Sequence, residues 1–311
     1  MAHDERIETF RTPRDWLRHA VGRFREAKLA FGHGATTALD EAAYIILETL
    51  HLPIDTLEPF LDANLLPDER RRLDALIEAR VATRKPAAYL LNRAYIQGIP
   101  FYVDERVIVP RSFIGELLIT TLSDDESPID DPEDVAQVLD LCTGGGSLAI
   151  LAARIFPNAA VDAVDLSADA LAVARRNVDE HNLADRIRLR EGDLFKPVKD
   201  ERYDLILTNP PYVDAEAVAA FPPEYAAEPR MAHAGGEDGL DIVRRILAEA
   251  PRHLSEEGAL ICEIGRGRDR LLAEHPDLPF LWLDTEESEG EVFLLRAADF
   301  GAAKARGRRK G

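Results

Sequence analysis

Only two cysteines, Cys142 and Cys262, occur in 311 residues. They are too few for a disulfide scaffold and lack the close spacing of a metal-binding pair, so no metal is expected. No apolar run approaches the roughly 20 residues that a membrane-spanning helix needs. The opening Met1-Ala2-His3-Asp4-Glu5-Arg6 has no apolar signal core. These absences predict a cytoplasmic protein without a membrane partner. Positive charge is scarce too: 38 Lys and Arg face 57 Asp and Glu, a formal charge of -19. Such a surface repels phosphate backbones, because nucleic-acid affinity rests on Lys and Arg displacing counterions, and sequence-specific DNA binding is not expected. A basic macromolecule is the partner that such a field attracts and steers. Acidity serving solubility alone is the plainer reading. One basic island, Lys304, Arg306, Arg308, Arg309 and Lys310, could touch RNA, but nothing apolar there would fold it.

A chain of 311 residues exceeds one comfortable core, so two domains are expected. From Arg11 to Asn92 the pattern is helical. Trp16, Ala20, Val21, Phe24 and Leu29 fall near a 3.6-residue period; Pro13 and Asp15 suit a helix start, Gly32 and Gly34 its end. A second amphipathic stretch runs from Thr36 and Thr37 through Ala43, Ile45, Ile46 and Leu50. A third, 68–84, places Leu73, Leu76, Ile77 and Val81 on one face. Two short apolar runs about Gly98, within 95–103, read as a hairpin, and 113–122 as a further helix. The segment 123–134 is acidic and polar, a surface loop by composition. Strands then alternate with helices: strands at 138–141, 160–164, 187–190, 203–208, 259–264, 280–283 and 292–295, helices at 147–155, 168–181, 238–253 and 267–274. That alternation predicts an α/β fold with a mostly parallel twisted sheet covered on both faces, its last two strands an antiparallel edge pair.

The segment Val138-Leu139-Asp140-Leu141-Cys142-Thr143-Gly144-Gly145-Gly146-Ser147 is an apolar strand that runs into glycines and then a helix. Such a turn lets backbone approach a ligand and exposes N–H groups at the helix start. The dinucleotide pattern G-x-G-x-x-G is incomplete, because Ala149 stands at its third glycine. Asp140 would repel a pyrophosphate but suits a ligand with an ammonium group. The next strand ends in Asp165-Leu166-Ser167, where a carboxylate can accept both ribose hydroxyls; the alternative is a helix cap, for which Ser167 is better placed. The third leads to Glu191-Gly192-Asp193-Leu194, placing Asp193 near an adenine amine. Three acids at successive strand ends after a glycine turn point to an adenosine-like ligand. A plain strand–turn–helix corner is the alternative.

After the fourth strand comes Thr208-Asn209-Pro210-Pro211-Tyr212-Val213. Two prolines remove two backbone donors and fix φ at about -65°, leaving carbonyls that point outward without internal partners. An amide nitrogen is a poor nucleophile, because its lone pair is delocalised into the carbonyl. To attack a methyl group it must lose planarity and gain partial positive charge. Acceptors aimed at its two N–H bonds stabilise that charge selectively in the transition state. The Asn209 side-chain oxygen and the Pro210 carbonyl are the candidates, with Tyr212 packing over the planar group. The bland alternative is a rigid bend with one buried tyrosine. The same tetrapeptide also serves enzymes that methylate adenine exocyclic amines, so it identifies the type of nitrogen and leaves the substrate open.

The C-terminal two-thirds resembles the class I methyltransferases, which implies a Rossmann-like, mostly parallel seven-stranded sheet and S-adenosylmethionine as cofactor, with S-adenosylhomocysteine as product. On that resemblance Cys142, Thr143, Gly144, Gly145 and Gly146 wrap the methionine part next to Asp140. Asp165 and Leu166 take the ribose side, Asp193 and Leu194 border the adenine, and Asn209 closes the set. Asn209, Pro210, Pro211 and Tyr212 would bind substrate, and Asn209, Pro210 and Tyr212 would carry catalysis. The whole chain resembles the HemK-type protein glutamine methyltransferases, most of all the branch acting on large-subunit ribosomal protein three. The segments that carry this are Pro110-Arg111-Ser112-Phe113-Ile114-Gly115-Glu116-Leu117, Asp140-Leu141-Cys142-Thr143-Gly144, Asn209 to Glu216, and Ile261-Cys262-Glu263-Ile264-Gly265. Phe113 and Gly145 stand where that branch carries Pro and Ser. The resemblance implies a helical substrate-recognition domain over 1–92, a hairpin linker with a connecting helix over 93–134, a methyltransferase domain over 135–300 and a basic tail over 301–311. It implies a basic ribosomal protein, or a ribosomal precursor, as partner. Glu224-Tyr225, Glu228-Pro229 and 235–240 resemble the family's substrate-facing lid, or an ordinary irregular connection. Alternatives are the glutamine of peptide chain release factors, an adenine-methylating enzyme, for which no basic DNA-reading insert is found, and a ribosome-assembly factor.

Overall fold

The structure is a computed structural model that describes residues 3–120, 122, 129, 132–285 and 288–301. The basic tail and most of the acidic segment 123–134 lie outside the described residues. Two compact units form: Met1–Glu105 with Phe221–Glu228, and Arg106–Ala220 with Pro229–Gly311. This division differs from the boundaries that the sequence suggests: the hairpin counts with the helices, and eight residues from far along the chain, Phe221–Glu228, join them. Among the described residues no helix is long and apolar enough to cross a membrane.

The first unit contains α1 (His3–Thr9), α2 (Pro13–Glu26), α3 (Ala38–Thr49), α4 (Pro67–Thr83), α5 (Ala87–Leu91) and an antiparallel hairpin of β1 (Ala94–Ile96) and β2 (Ile99–Phe101). Helix α2 starts in a capping box: the Thr12 side chain accepts from the Asp15 N–H while the Asp15 carboxylate accepts from the Thr12 N–H. Trp16, Ala20 and Phe24 form its fully buried stripe. The helix stops well before Gly32 and Gly34, the end that the sequence suggests. Lys28, at φ +50°, takes the left-handed closing position instead. Gly32 has another reason to lack a side chain: a Cβ there would sit 2.9 Å from the Tyr225 hydroxyl. Leu73 and Ile77 of α4 are fully buried against α2 and α3, whereas Leu76 and Val81 of the expected face are only half-buried.

An ionic core lies beneath this apolar one. Arg80 is completely buried and donates to Glu41 at 3.0 Å and to the carbonyls of Ala30 and Arg84. Glu224, from the returning segment, accepts from the Ala30 N–H at 3.0 Å and pairs with Arg84. Burial pushes the Glu41 carboxyl upward despite Arg80. Such an ensemble tolerates the loss of one member poorly, because the remaining charge would be buried unpaired. Glu224 and Glu228 are both buried.

The second unit runs α6 (Phe113–Ile119), β3 (Gln137–Leu141), α7 (Ser147–Ile155), β4 (Ala160–Asp165), α8 (Ala168–Glu180), β5 (Ile187–Glu191), β6 (Tyr203–Thr208), α9 (Ala215–Ala219), α10 (Asp241–Glu249), β7 (Leu254–Glu263), α11 (Arg268–Glu274), β8 (Leu281–Leu283) and β9 (Val292–Arg296). The seven strands lie in the order β5-β4-β3-β6-β7-β9-β8, with β5 to β7 parallel and β9 antiparallel to both neighbours. This is the class I methyltransferase arrangement that the sequence suggests. Helix α10 starts at Asp241 and not at 238, because the Asp238 carboxylate is engaged by the Leu240 N–H, Arg244 and Arg270. Strand β7 begins five residues earlier than expected, pairing Leu254 with Tyr203 before an irregularity in register.

The register fixes the site. Leu141 pairs with Thr208, and Thr208 with Cys262. Cys142, Asn209 and Glu263 therefore follow one another across the carboxyl edge of three adjacent strands, where strand order reverses between β3 and β6. That reversal is where open parallel sheets leave a crevice for ligands.

Candidate active site

The glycine turn is held from four sides. One Asp140 oxygen accepts from the Thr143 hydroxyl and from the Ala149 N–H at 3.0 Å. Asp165 accepts from the Gly144 N–H at 2.8 Å, the Thr143 N–H reaches the Val164 carbonyl at 3.0 Å, and Asn177 of α8 donates to the Gly145 carbonyl at 2.8 Å. Cys142, Gly144 and Gly146 all have positive φ. A Cβ on Gly144 would meet nothing within 4 Å, so open space faces it, whereas one on Gly146 would lie 3.2 Å from Ala174. At Gly145 a Cβ would make only ordinary contacts. Burial and the nearby acids push the Cys142 thiol up, so it is no nucleophile at neutral pH.

Asp140 is fully buried, and its second oxygen is without a hydrogen-bond partner. Burial pushes its carboxyl up to about 7. An orphaned buried acceptor beside a cradle of glycines fits a ligand that brings an ammonium group. The folded-state value lies above the ordinary one, so the unfolded chain releases this proton first; stability from this group falls as pH rises from the ordinary carboxylate range to about 7 and levels off above it. Asp140→Asn keeps an oxygen for Thr143 and Ala149 but carries no charge. Its Tm in the ligand-free protein should gain on the wild type as pH rises from about 4 to about 7, with no further gain above that. A Tm difference that stays constant over that range contradicts a buried titrating Asp140.

Asp165 ends β4, with its oxygens accepting from the Gly144 and Ser167 N–H groups at 2.8 Å each. Leu166, next along, is 60% exposed, an apolar side chain standing at the sheet edge with nothing to cover it. Leu194 is buried at φ +51°. Asp193 is more occupied than the sequence suggests: Arg245 and Lys196 hold its two oxygens at 2.7 and 2.8 Å and keep its carboxyl below the usual range.

Asn209 to Tyr212 follow β6. The Thr208 hydroxyl donates to the Leu141 carbonyl at 3.0 Å, tying this strand end to the glycine strand. Pro210 is buried, while Asn209, Pro211 and Tyr212 are half-buried. The Asn209 side-chain nitrogen reaches the Arg111 carbonyl at 3.4 Å, which turns its oxygen the other way. Among the described residues no donor is bonded to the Pro210 carbonyl or to that oxygen. The Tyr212 hydroxyl donates to Glu263 at 2.9 Å, and burial with that neighbouring carboxylate pushes its phenol up. The loop 233–239 lies under the motif's backbone. The Gly235 N–H reaches the Val213 carbonyl at 2.9 Å, and Cβ atoms on Gly235 and Gly239 would come within 2.8 Å of Tyr212 Cα and 2.3 Å of its carbonyl oxygen. A cavity of about 760 Å³ opens beside Tyr212. Its wall carries Asp214, Glu216, Glu237, Asp238 and Asp241 against Arg244, Arg266 and Arg270.

Three supporting residues were missed from the sequence as parts of the site: Asn177, Ser112 and Glu263. Glu263 and Ser112 stood only within the segments that carry the family resemblance, and an acid near the end of an apolar strand was the one available signal for Glu263.

A methyltransferase small domain model matches residues 115–221. The chain is 60% identical to the ribosomal protein uL3 glutamine methyltransferase of Bradyrhizobium diazoefficiens, covering 92% of this chain and 90% of that one. It is 56% identical to the protein of the same name from Burkholderia pseudomallei, over 94% and 97%, and 53% identical to that of Bordetella pertussis, over 95% and 98%. The chain belongs to the ribosomal protein uL3 glutamine methyltransferase family. The matched 92% of the chain takes in residues of both units.

Proposed function

We propose that this enzyme transfers a methyl group from S-adenosylmethionine to the side-chain amide nitrogen of a glutamine in ribosomal protein uL3. The reading rests on family membership across both units, and on a single geometric observation. Among the described residues no donor is bonded to the Asn209 side-chain oxygen or the Pro210 carbonyl, at the sheet edge one strand away from the glycine turn. The orphaned Asp140 oxygen, the open face of Gly144, the strand-end Asp165 and the exposed Leu166 supply what an amino-acid group and an adenosine need.

When bound, S-adenosylmethionine supplies an electrophilic methyl on a positively charged sulfur. Asp140, the turn from Cys142 to Gly146, Asp165 and Leu166 would hold it. Asn209 and Pro210 accept the two N–H bonds of the glutamine carboxamide, drawing its nitrogen out of conjugation and stabilising the positive charge that builds there. Tyr212 fixes the plane of the carboxamide. The new N–C bond forms as the S–C bond breaks, and the nitrogen then sheds a proton to solvent, so no strong base is needed beforehand. Orientation supplies most of the acceleration, of the order of 7–11 kcal/mol for well-aligned reactants.

The acidic balance supports a basic protein substrate. The net charge is -19, and the cavity beside Tyr212 has five carboxylates against three arginines. Association with uL3 should slow as salt rises, because screening shortens to about 8 Å at physiological ionic strength. Salt-independent association in stopped-flow measurements would count against steering. The substrate is tested by incubating the enzyme with labelled cofactor and either uL3 or a release factor, then mapping the site by mass spectrometry. One methylated glutamine in uL3 is expected; label on the release factor alone would overturn the assignment.

A further inference from the structure

We propose that Glu263 is a positioning residue for methyl transfer: its carboxylate locks Tyr212 of the Asn-Pro-Pro-Tyr corner to the segment Arg111-Ser112-Phe113. The inference rests on the proposed function in taking Tyr212 as the wall against which the carboxamide is aligned.

The geometry is a closed relay. One Glu263 oxygen accepts from the Tyr212 hydroxyl at 2.9 Å; the other accepts from the Ser112 hydroxyl at 2.7 Å and the Phe113 N–H at 3.0 Å. Glu263 is 1% exposed, so water does not compete for these bonds. Its strand delivers a second restraint two residues later. Gly265, at φ +52°, lies so close that a Cβ would sit 2.7 Å from Cε2 and 2.8 Å from Cδ2 of Tyr212. The ring is thus fixed at its hydroxyl by Glu263 and along one edge by Gly265. Its backbone is fixed from below by Gly235 and Gly239.

The same segment reaches the other half of the corner, since the Arg111 carbonyl accepts from the Asn209 side chain. Residues 111–113 therefore orient Asn209 directly and Tyr212 through Glu263. A stack of Tyr212 on the carboxamide requires its ring to stay put while the amide pyramidalises, and a misplacement of about 1 Å can lower a rate about 100-fold. Glu263 touches no reacting atom in this scheme; its hold on the ring is exerted through the Tyr212 hydroxyl.

A glutamine at this position cannot serve both sides with the same polarity. Its oxygen is claimed by the Phe113 N–H, so its –NH2 faces Tyr212, whose hydroxyl would have to accept from a new direction. The test is a double-mutant cycle of Glu263→Gln and Tyr212→Phe on the full-length enzyme with uL3 and S-adenosylmethionine. Each single variant is expected to lower kcat about tenfold, with the Kd for the cofactor unchanged, and the double variant to be no slower than the slower single. Effects that multiply in the double variant, or a Glu263→Gln enzyme as fast as the wild type, would overturn the proposal. Ser112→Ala provides a second route should Glu263→Gln fail to fold. It should slow the enzyme with Tyr212 present and have no effect in the Tyr212→Phe background; an equal loss in both backgrounds would overturn the relay. A wild type inactive on uL3 would instead sink the substrate assignment, so the two failures are distinguishable.

Discussion

Asn209→Ala is expected to lower kcat by about two to three orders of magnitude, the size seen when one preorganised partner of a developing charge is removed. Among the described residues no donor is bonded to the Asn209 oxygen, and its orientation is set by the bond from its nitrogen to the Arg111 carbonyl. The charge it meets is absent from the bound ground state and builds only as the new bond forms, so its loss should fall on kcat more than on KM. The cofactor cradle is built by Asp140, Asp165 and Asn177, none of which bonds to Asn209. Calorimetric affinity for S-adenosylmethionine should therefore change far less than turnover. Equal losses in both would assign Asn209 to cofactor binding and remove it from the chemistry.

Asp165→Ala is expected to weaken S-adenosylmethionine binding about ten- to a hundredfold, in line with about 1.5–3 kcal/mol for hydrogen bonds to a charged group. Two losses combine here. The ribose would lose its carboxylate, and the Gly144 and Ser167 N–H groups would lose an acceptor at 2.8 Å each, loosening the turn on one side and the start of α8 on the other. Turnover at saturating cofactor should fall much less. An unchanged Kd in titration calorimetry would contradict the ribose assignment and leave Asp165 a loop brace.

Burial with a period was legible in the sequence; polar burial was not. Trp16, Ala20 and Phe24 repeat every four residues, and α7 and β6 have the spans their apolar patterns suggest, because one face of each is packed. Helix α1 gave no such signal. It buries no side chain and is held by ions, Arg6 donating to Asp74 at 2.6 Å. Arg80 and Glu41 stand outside the apolar period, yet both are buried, because each is the other's counter-ion. The return of Glu224 to Ala30 spans 194 positions, which no local pattern encodes. In the site, the strand-end acids and Asn209 to Tyr212 could be placed because parallel strands in register present successive ends to one crevice. Glu263 and Ser112 could not, since their roles depend on three segments meeting around one buried carboxylate.

The central claim is that two acceptors, the Asn209 side-chain oxygen and the Pro210 carbonyl, grip the nitrogen of a substrate carboxamide. A crystal structure with S-adenosylhomocysteine and a glutamine peptide from uL3 addresses it most directly. The account predicts the amide nitrogen about 2.7–3.2 Å from both oxygens, facing the sulfur. An amide that presents its oxygen to this corner, or a glutamine seated away from Asn209, would contradict it.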